Sequence, residues 1–496
     1  MPLFRSRASK LIFIPLIIII GLYLVLLIPF PDAGEFKPST KKPFEWNKDA
    51  LWDELEGKFA ANREKGCEVL SPAIDNAFTE LDSLLIRIGR KDQTPGAPVW
   101  DTLEYKLFDL ASIVAVCPDQ IMKFAAKSNL VRLAVKRNSQ HWDMNDRDTR
   151  FRMYRLLYGG RMALEEVMLQ APKEKIPVLI RGSDEISWTP SGRYGDLRLH
   201  SGDILVSRGG APVSALIARG NDFPGSFSHV ALVYVDEDTG KIYTVESHIE
   251  IGAAVSTLEE YLADKKYRVM ILRPRGDVPE FKANPMLPHE AALMAYTNVT
   301  TGHIPYDFEM NFSDPSRLFC SEVAYAYYKQ YGVELWSGIS TISSKGVADW
   351  LYSVGVRNFE THEPSDLEYD PQLTVVAELR NPEALYERHK DDAVLDVMLE
   401  DATKKNERLE YDWYLLPFAR MLKLYSLVLN MFNKEGPIPE GMSPEAALRV
   451  SNFEKRFKQI KSRLDELSDE FKKKEGYTPP YWQLVKMAKT AKDEIK

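Results

Sequence analysis

Hydrophobic residues follow different spacings along the chain, and each spacing predicts a different kind of structure. An uncharged apolar run, residues 11–30, comes first. From residue 44 to about residue 172, apolar residues recur every three or four positions, which is typical of helices that pack on one face. Short runs rich in β-branched and aromatic residues follow as far as residue 274, and they indicate strands. Helical spacing returns beyond about residue 382.

These patterns divide the chain into four predicted regions. Residues 1–43 form an N-terminal anchor and a proline-bearing linker, and residues 44–175 form a bundle of four to six helices. Residues 176–381 combine a small antiparallel barrel or sheet with packed helices, and residues 382–496 are helical again. The expected fold class is therefore α+β, with helical regions on both sides.

The first apolar run is long enough to cross a bilayer, because a spanning helix needs about 20 residues. Arg5, Arg7 and Lys10 precede the run, and acidic residues follow it. The positive-inside rule therefore predicts a single-pass transmembrane helix at residues 11–30, a signal anchor that leaves the bulk of the chain extracytoplasmic or periplasmic. A cleaved signal peptide is the alternative, although its apolar region is usually shorter, at about 7–15 residues.

Two predicted helices of the C-terminal region carry apolar faces that need a partner. Residues 412–433 combine an apolar face with a few basic residues, and residues 443–474 place apolar residues near heptad spacing. Docking within the chain is the expected outcome for both helices. Contact of residues 412–433 with a membrane, or pairing with a second copy of the chain, stays open.

A predicted β-hairpin in the third region, residues 227–248, carries two histidines and a glutamate. If its loop spans residues 236–239, His229 lies opposite Glu246, and directly opposed side chains have Cβ atoms about 5 Å apart. An imidazole and a carboxylate then meet on one face of the sheet. A register two residues away instead places His248 opposite His229.

A cysteine near the start of a predicted helix is the candidate nucleophile. The stretch after Cys320 has apolar residues at helical spacing, and Ser313-Asp314-Pro315 supplies helix start signals upstream. These signals place Cys320 in the first or second turn, where the positive end of the helix lowers the pKa of a thiol. A nearby imidazole lowers that pKa further, which favours the thiolate nucleophile.

Five motifs occur in an order that resembles the permuted papain-like cysteine hydrolases of the NlpC-like YiiX and YaeF type. They are G-D-I, S-H-V-A-L-V, V-E-S-H, P-Y-D-F and F-C-S-E-V, and the resemblance covers about residues 197–350. In ordinary papain-like enzymes the cysteine helix precedes the histidine strand, whereas here the histidine strand comes first. The resemblance implies that Cys320 is the nucleophile, His229 the base and Glu246 the residue that orients the imidazole.

The resemblance leaves other roles open. His248 is an alternative orienting residue, and Tyr306, Asp307, Ser228 and Ser321 are candidate cleft residues without an assigned step. An enzyme of this type cleaves an amide or ester through a thioester and needs no cofactor and no metal. Together with the predicted anchor, it favours a cell-envelope peptide, a lipid amide or a protein as substrate.

Composition and charge exclude some functions and leave alternatives. The net charge of -8 argues against nucleic-acid binding, which needs a basic surface. Cys67 and Cys117 could pair, but packing as small apolar residues in the helical core is favoured. A catalytically inactive, membrane-tethered binding or scaffold protein is one alternative function, and a zinc hydrolase that uses the same histidines, glutamate and cysteine is another. No feature of the sequence sets the oligomeric state.

Overall fold

The computed structural model combines helices with an antiparallel sheet, as the α+β prediction requires. It describes residues 7–28, 50–264, 266, 268–336, 338–432 and 434–495. The helices before the sheet are α1 (Arg7–Leu26), α2 (Ala50–Lys65), α3 (Cys67–Gly89), α4 (Pro98–Val114), α5 (Ile121–Asn138), α6 (Arg147–Tyr154) and α7 (Gly160–Leu169). The helices within the sheet region are α8 (Pro212–Arg219), α9 (Leu258–Ala263), α10 (Pro279–Ala283), α11 (Leu287–Thr301), α12 (Glu322–Gln330) and α13 (Lys345–Val354). The C-terminal helices are α14 (Pro382–Lys405), α15 (Leu416–Asn430), α16 (Pro444–Glu475) and α17 (Tyr481–Glu494).

The strands of the described residues form one large sheet and two small ones. They are β1 (Leu179–Arg181), β2 (Ser191–Tyr194), β3 (Leu197–His200), β4 (Ile204–Arg208), β5 (His229–Val235), β6 (Ile242–His248), β7 (Gly252–Thr257), β8 (Arg268–Pro274), β9 (Ser340–Thr341), β10 (Glu360–Thr361) and β11 (Leu373–Arg380). The large sheet has seven strands in the order β1-β11-β8-β4-β5-β6-β7, and every neighbouring pair is antiparallel. The small sheets are the antiparallel pairs β2–β3 and β9–β10.

Both faces of the large sheet are buried, and alternation along β5 shows how the sequence achieves this. Val230 and Leu232 pack into a core with helices α10 to α12. Ala231 and Val233 point to the other face and pack with Tyr261 of α9. Successive strand residues point to opposite faces, so an almost continuous apolar strand is expected where both faces are covered.

The predicted helical bundle and C-terminal helices pack around this sheet. Helices α3, α4, α5 and α7 share one core, which also receives Ile180 of β1. Helices α14, α16 and α17 share another core with α8 and α13. The prediction that residues 443–474 dock within the chain is confirmed, because Phe453, Phe457 and Leu464 of α16 are buried there.

A disulfide joins Cys67, at the start of α3, to Cys117, just beyond α4. The favoured prediction, that these two cysteines pack as unpaired apolar residues, is therefore wrong. Their spacing alone could not decide the question, because pairing requires the two Cα atoms to lie within about 7 Å. In the structure that separation is 5.2 Å, since the ends of the two helices meet.

A buried ion network joins the helical bundle, the sheet and the C-terminal region. Glu165 of α7 contacts the guanidinium groups of Arg161, Arg268 and Arg380, and His389 Nε2 lies 3.1 Å from its carboxylate. Burial alone would raise the pKa of Glu165, but the surrounding cations hold it well below its usual range. Burial lowers the pKa of His389, yet the neighbouring carboxylates outweigh this effect and raise it to about 9. Each buried charge is thereby compensated.

The predicted membrane anchor falls mainly on α1. Residues 1–6 and 29–43, which include the end of the predicted span and the linker, lie outside the described residues. Within the part of the chain that the structure describes, no helix combines the length and apolar character required to cross a membrane.

Candidate active site

The hairpin formed by β5 and β6 has the second of the two registers considered above. Ala231, and not His229, lies opposite Glu246, so the favoured register is wrong. Continuing the same pairing places His248 opposite His229. The two imidazole ring centroids are 5.4 Å apart, as expected for cross-strand neighbours.

The loop between the two strands explains the shift in register. It spans residues 236–241 instead of 236–239. The Asp236 carboxylate accepts a hydrogen bond from the Thr239 backbone N–H at 2.9 Å, which closes a turn of the kind that aspartate favours. Gly240 adopts a φ of 68°, a left-handed conformation that glycine reaches without strain. These two residues form a wider loop than the count of residues suggested.

Glu246 nevertheless contacts His229, because a glutamate side chain reaches a diagonal neighbour on the adjacent strand. His229 Nε2 lies 2.7 Å from Glu246 Oε2, and His248 Nε2 lies 3.5 Å from the same oxygen. Thr244 donates a hydrogen bond to Glu246 Oε1 at 3.4 Å, and Lys266 Nζ lies 4.0 Å from Glu246 Oε2. Glu246 is thus the centre of the cluster, and the structure brings both candidate orienting residues next to each other.

The electrostatics of this cluster favour a neutral His229 beside an ionised Glu246. Burial raises the pKa of Glu246, but hydrogen bonds from both histidines outweigh it and leave the pKa well below its usual value. Burial lowers the pKa of His229. Burial by itself would lower the pKa of His248, but the hydrogen bond to Glu246 outweighs this effect and raises the pKa. A neutral His229 that donates its Nε2–H to Glu246 keeps Nδ1 as the nitrogen that accepts a proton.

Cys320 lies against the strand that carries His229. Its Sγ donates to the backbone carbonyl of Ser228 at 3.7 Å and lies 4.0 Å from the Ser321 hydroxyl. Among the described residues, the thiol makes no hydrogen bond with the imidazole of His229. The sulfur therefore lies beside the carbonyl of the residue that precedes His229, the candidate base at the start of β5.

Two details of the predicted thiol environment are wrong. Cys320 precedes α12, which begins at Glu322, and so it lies in the turn before the helix and not in its first turns. Its pKa is raised to about 12, and not lowered, because the thiol is only 5% exposed and burial disfavours the thiolate. Glu363, where it is ionised, raises the pKa in the same direction. The helix terminus cannot offset this loss of hydration.

The candidate cleft residues have different surroundings. Tyr306 is close enough to Cys320 for a thiolate there to raise the phenol pKa, after the larger effect of burial. Asp307 instead accepts hydrogen bonds from the backbone N–H groups of Glu309 and Asn311, at 3.0 and 2.6 Å, and shapes the loop that follows. Ser228 contacts the thiol through its backbone carbonyl, while its hydroxyl accepts from the Gly209 N–H at 3.3 Å.

Two buried acids beside this site were missed by the sequence analysis. Glu363 is buried, one of its carboxylate oxygens finds no hydrogen-bond partner among the described residues, and burial raises its pKa well above the usual value. Glu322, two residues after Cys320, accepts from the Phe319 N–H at 3.1 Å, and burial raises its pKa to about 9. Glu322 belongs to the F-C-S-E-V motif and could have been noticed there. Glu363 lies far from every motif.

The cluster around Glu246 also has the composition of a metal site. The ligand atoms of His229, Glu246 and His248 all lie within 4.8 Å of one another. Two histidines and one carboxylate are a ligand set that catalytic zinc sites use. Cys320 is not a member of this group, so the predicted zinc site with four ligands is not formed among the described residues.

Comparison with known proteins agrees with the sequence motifs. Residues 198–377 match the family model described as permuted papain-like amidase enzyme, YaeF/YiiX, C92 family. The match includes every candidate site residue named above. A search of curated proteins found no match to the chain. The matched segment, residues 198–377, supports a cysteine hydrolase of the papain-like amidase type.

Proposed function

We propose that the permuted papain-like amidase domain, residues 198–377, cleaves an amide or ester bond with Cys320 as nucleophile, His229 as base and Glu246 as the orienting residue. The observation that carries this proposal is the 2.7 Å contact between His229 Nε2 and Glu246. This contact fixes the tautomer of His229 and leaves Nδ1 as the proton acceptor. The carbonyl of Ser228, the residue before His229, contacts the Cys320 thiol.

The reaction follows from these positions. Substrate entry displaces the thiol from the Ser228 carbonyl, and the thiol proton moves to His229 Nδ1 while Sγ attacks the substrate carbonyl. The backbone N–H of Cys320 stabilises the oxyanion. Collapse breaks the bond to the leaving amine or alcohol, which takes the proton from the imidazolium and leaves a thioester on Cys320. His229 then removes a proton from water, which hydrolyses the thioester and restores the thiol.

The buried resting thiol has a mechanistic role in this proposal. With a pKa of about 12, Cys320 is protonated until a substrate approaches, so its sulfur does not react at random with electrophiles. The transfer to His229 becomes favourable only when the thiol leaves its apolar surroundings and meets the imidazole. The negative charge of Glu246 stabilises the imidazolium that forms.

We also propose that the chain is held at a membrane through residues 11–30, with its bulk on the extracytoplasmic side. The described part of α1 supports this, because its apolar side chains, such as Ile18 and Val25, are 63% and 62% exposed and need a non-aqueous environment. The disulfide between Cys67 and Cys117 supports an oxidising compartment. The substrate is then an amide or ester of the cell envelope, such as a wall peptide, a lipid amide or a protein.

The full-length protein tests the hydrolase proposal. It is incubated with cell-wall peptides, N-acyl amides and envelope proteins, and the products are identified by mass spectrometry. We expect Cys320→Ala to abolish turnover and to keep the wild-type unfolding temperature, because the side chain is small and makes only weak hydrogen bonds. The matched control, Ser316→Ala, removes an exposed hydroxyl four residues before Cys320 and should keep the activity. Full turnover by the Cys320→Ala protein would contradict the proposal.

A zinc hydrolase is the second candidate, because His229, Glu246 and His248 form a suitable ligand group. In that case zinc would activate water and Cys320 would be dispensable. Metal analysis of the purified protein distinguishes the two mechanisms. Stoichiometric zinc, together with activity that a chelator removes and zinc restores, would favour the metal mechanism over the thiol mechanism.

A further inference from the structure

Helix α15 turns its polar side chains toward the protein, together with the buried Leu416 and Ala419 near its start, and leaves most of its other apolar residues exposed. Ser426 is fully buried, and its hydroxyl accepts from the Ile438 N–H at 3.0 Å. Lys423 donates to the Pro439 carbonyl at 2.6 Å. The outward positions form an apolar stripe whose side chains are 49% to 69% exposed, namely Tyr414, Phe418, Met421, Tyr425, Val428 and Phe432.

The spacing of the apolar stripe shows that it covers one face of the helix along its whole length. Its members are separated by three or four positions, so they lie one above another. Water-soluble helices usually place such a stripe against the protein core, and exposed apolar patches of this size mark interaction sites. The inward polar side chains are satisfied by backbone groups, so the helix is not simply rotated from a buried position.

Helix α1 continues the same apolar surface. The Tyr23 hydroxyl donates to the Tyr414 carbonyl at 2.8 Å, and the Tyr23 ring lies 6.4 Å from the Phe418 ring. Arg420 donates to the carbonyls of Leu26 and Ile28 at 2.8 and 2.7 Å, and so it satisfies acceptors that the end of α1 leaves free. The exposed apolar side chains of α1 and the apolar stripe therefore form one continuous surface.

We infer that α15 lies flat in the interfacial layer of the membrane that holds α1, with the apolar stripe among the lipid acyl chains. This inference rests on the membrane location proposed above. With 15 residues, α15 is shorter than the roughly 20 residues that a spanning helix needs, and an exposed apolar face suits a helix parallel to the membrane plane. Trp413, Tyr414 and Tyr425 supply the aromatic rings with polar tips that prefer the membrane interface.

The loop after α15 connects this membrane contact to the segment that carries Tyr306, a candidate cleft residue. The loop after α15 carries Glu440, which lies 3.0 Å from His303, and Gly441. A side chain at Gly441 would collide with the Phe308 ring, so the loop packs closely against the segment that contains Tyr306. The position of α15 in the membrane interface therefore determines how far the Tyr306 segment lies from the bilayer.

Photocrosslinking tests the inference on the full-length protein. The protein is reconstituted into vesicles of phosphatidylcholine and phosphatidylglycerol that contain a phospholipid with a diazirine on its acyl chain. After irradiation, labelled peptides are located by mass spectrometry. We expect lipid adducts within residues 15–28 and also within residues 413–432. The Cys320→Ala protein should give the same adducts, so the result does not depend on the proposed hydrolase activity.

A substituted protein and a matched control make the test specific. Phe418→Gln, Met421→Gln and Tyr425→Gln together should remove most adducts from α15 and leave those on α1. The control replaces three exposed apolar residues elsewhere, Met122→Gln, Ile186→Gln and Trp188→Gln, and should keep both sets of adducts.

Three other outcomes would overturn the inference. Adducts confined to α1 would refute the membrane contact of α15 and leave the membrane location of α1 supported. Crosslinks between two protein molecules at Lys423 of α15, formed in a parallel sample with a bifunctional amine reagent and without lipid adducts on α15, would show that a second copy covers the apolar stripe. Absence of adducts from both helices would refute the membrane location as well.

Discussion

The substitution Glu246→Gln replaces an ionised carboxylate by a neutral amide of nearly the same shape, next to His229. Hydrogen bonds to a charged partner contribute about 1.5–3 kcal/mol, and neutral ones about half as much. The carboxylate also stabilises the imidazolium that forms as the thiol loses its proton. We therefore expect a loss of about 1–2 kcal/mol of transition-state stabilisation, which is a decrease of about 5- to 30-fold in kcat/KM.

The assay compares kcat/KM on the substrate found in the screen with the rate at which iodoacetamide alkylates Cys320. Both quantities should fall in the Glu246→Gln protein, because both depend on proton transfer to His229. The control is Asp264→Asn, which removes a negative charge 3.2 Å from Lys266 without touching the imidazole. His229→Ala should cost more, about 100- to 10,000-fold, because it removes the base itself.

Unchanged kcat/KM in the Glu246→Gln protein would refute the reasoning, provided that its unfolding temperature is also unchanged. A larger loss in His248→Gln than in Glu246→Gln would transfer the orienting role to His248, whose Nε2 lies 3.5 Å from the same carboxylate oxygen. Equal losses in both proteins would show that the two side chains act as a unit on His229.

Four further predictions follow from burial and charge. Burial keeps the pKa of His229 below 6.5, so kcat/KM should rise with pH only in the range below 6.5 and stay level at neutral pH. A rise of kcat/KM with its midpoint above pH 7 would contradict this. Replacing Cys67 and Cys117 by serine should lower the free energy of unfolding by about 4 kcal/mol, because the disulfide closes a loop of 50 residues and reduces the entropy of the unfolded chain. Denaturant titration measures this free energy. Glu363→Gln imitates the protonated acid and should keep both stability and activity, whereas Glu363→Ala should lose stability in the same thermal scan. Since His389 has a pKa raised to about 9, its stabilising effect should be complete below pH 6.5 and be lost as the pH rises through 9; the His389→Gln protein should lack this loss in denaturant titrations across that range.

The sequence could predict those features that depend on local spacing. Runs rich in β-branched and aromatic residues identified β5 and β6, and helical spacing identified α15 and α16, each within a few residues of its observed ends. The order of the motifs was sufficient to predict the thiol hydrolase family that the comparison supports. The catalytic roles of Cys320, His229 and Glu246 stay a prediction, which the substitutions above are designed to test.

Features that depend on distant contacts could not be predicted. The register of β5 and β6 is set by the side-chain hydrogen bond of Asp236, which a count of loop residues does not reveal. The raised pKa of Cys320 comes from burial by segments distant in sequence. Glu363 reaches the site through the fold alone, and no local pattern marks it. The pairing of Cys67 with Cys117 likewise depends on how the ends of two helices meet.

The ion network around Glu165 bears on any attempt to isolate the catalytic segment. Excision at residues 198 and 377 would keep Arg268 but remove Glu165 and its neighbour His389. A buried guanidinium that loses its carboxylate partner lowers stability by about 3–5 kcal/mol, which is a large part of the free energy of unfolding of an ordinary domain. The amidase segment is therefore inseparable from its flanks, and any fragment designed for crystallography or screening has to retain α7 and α14.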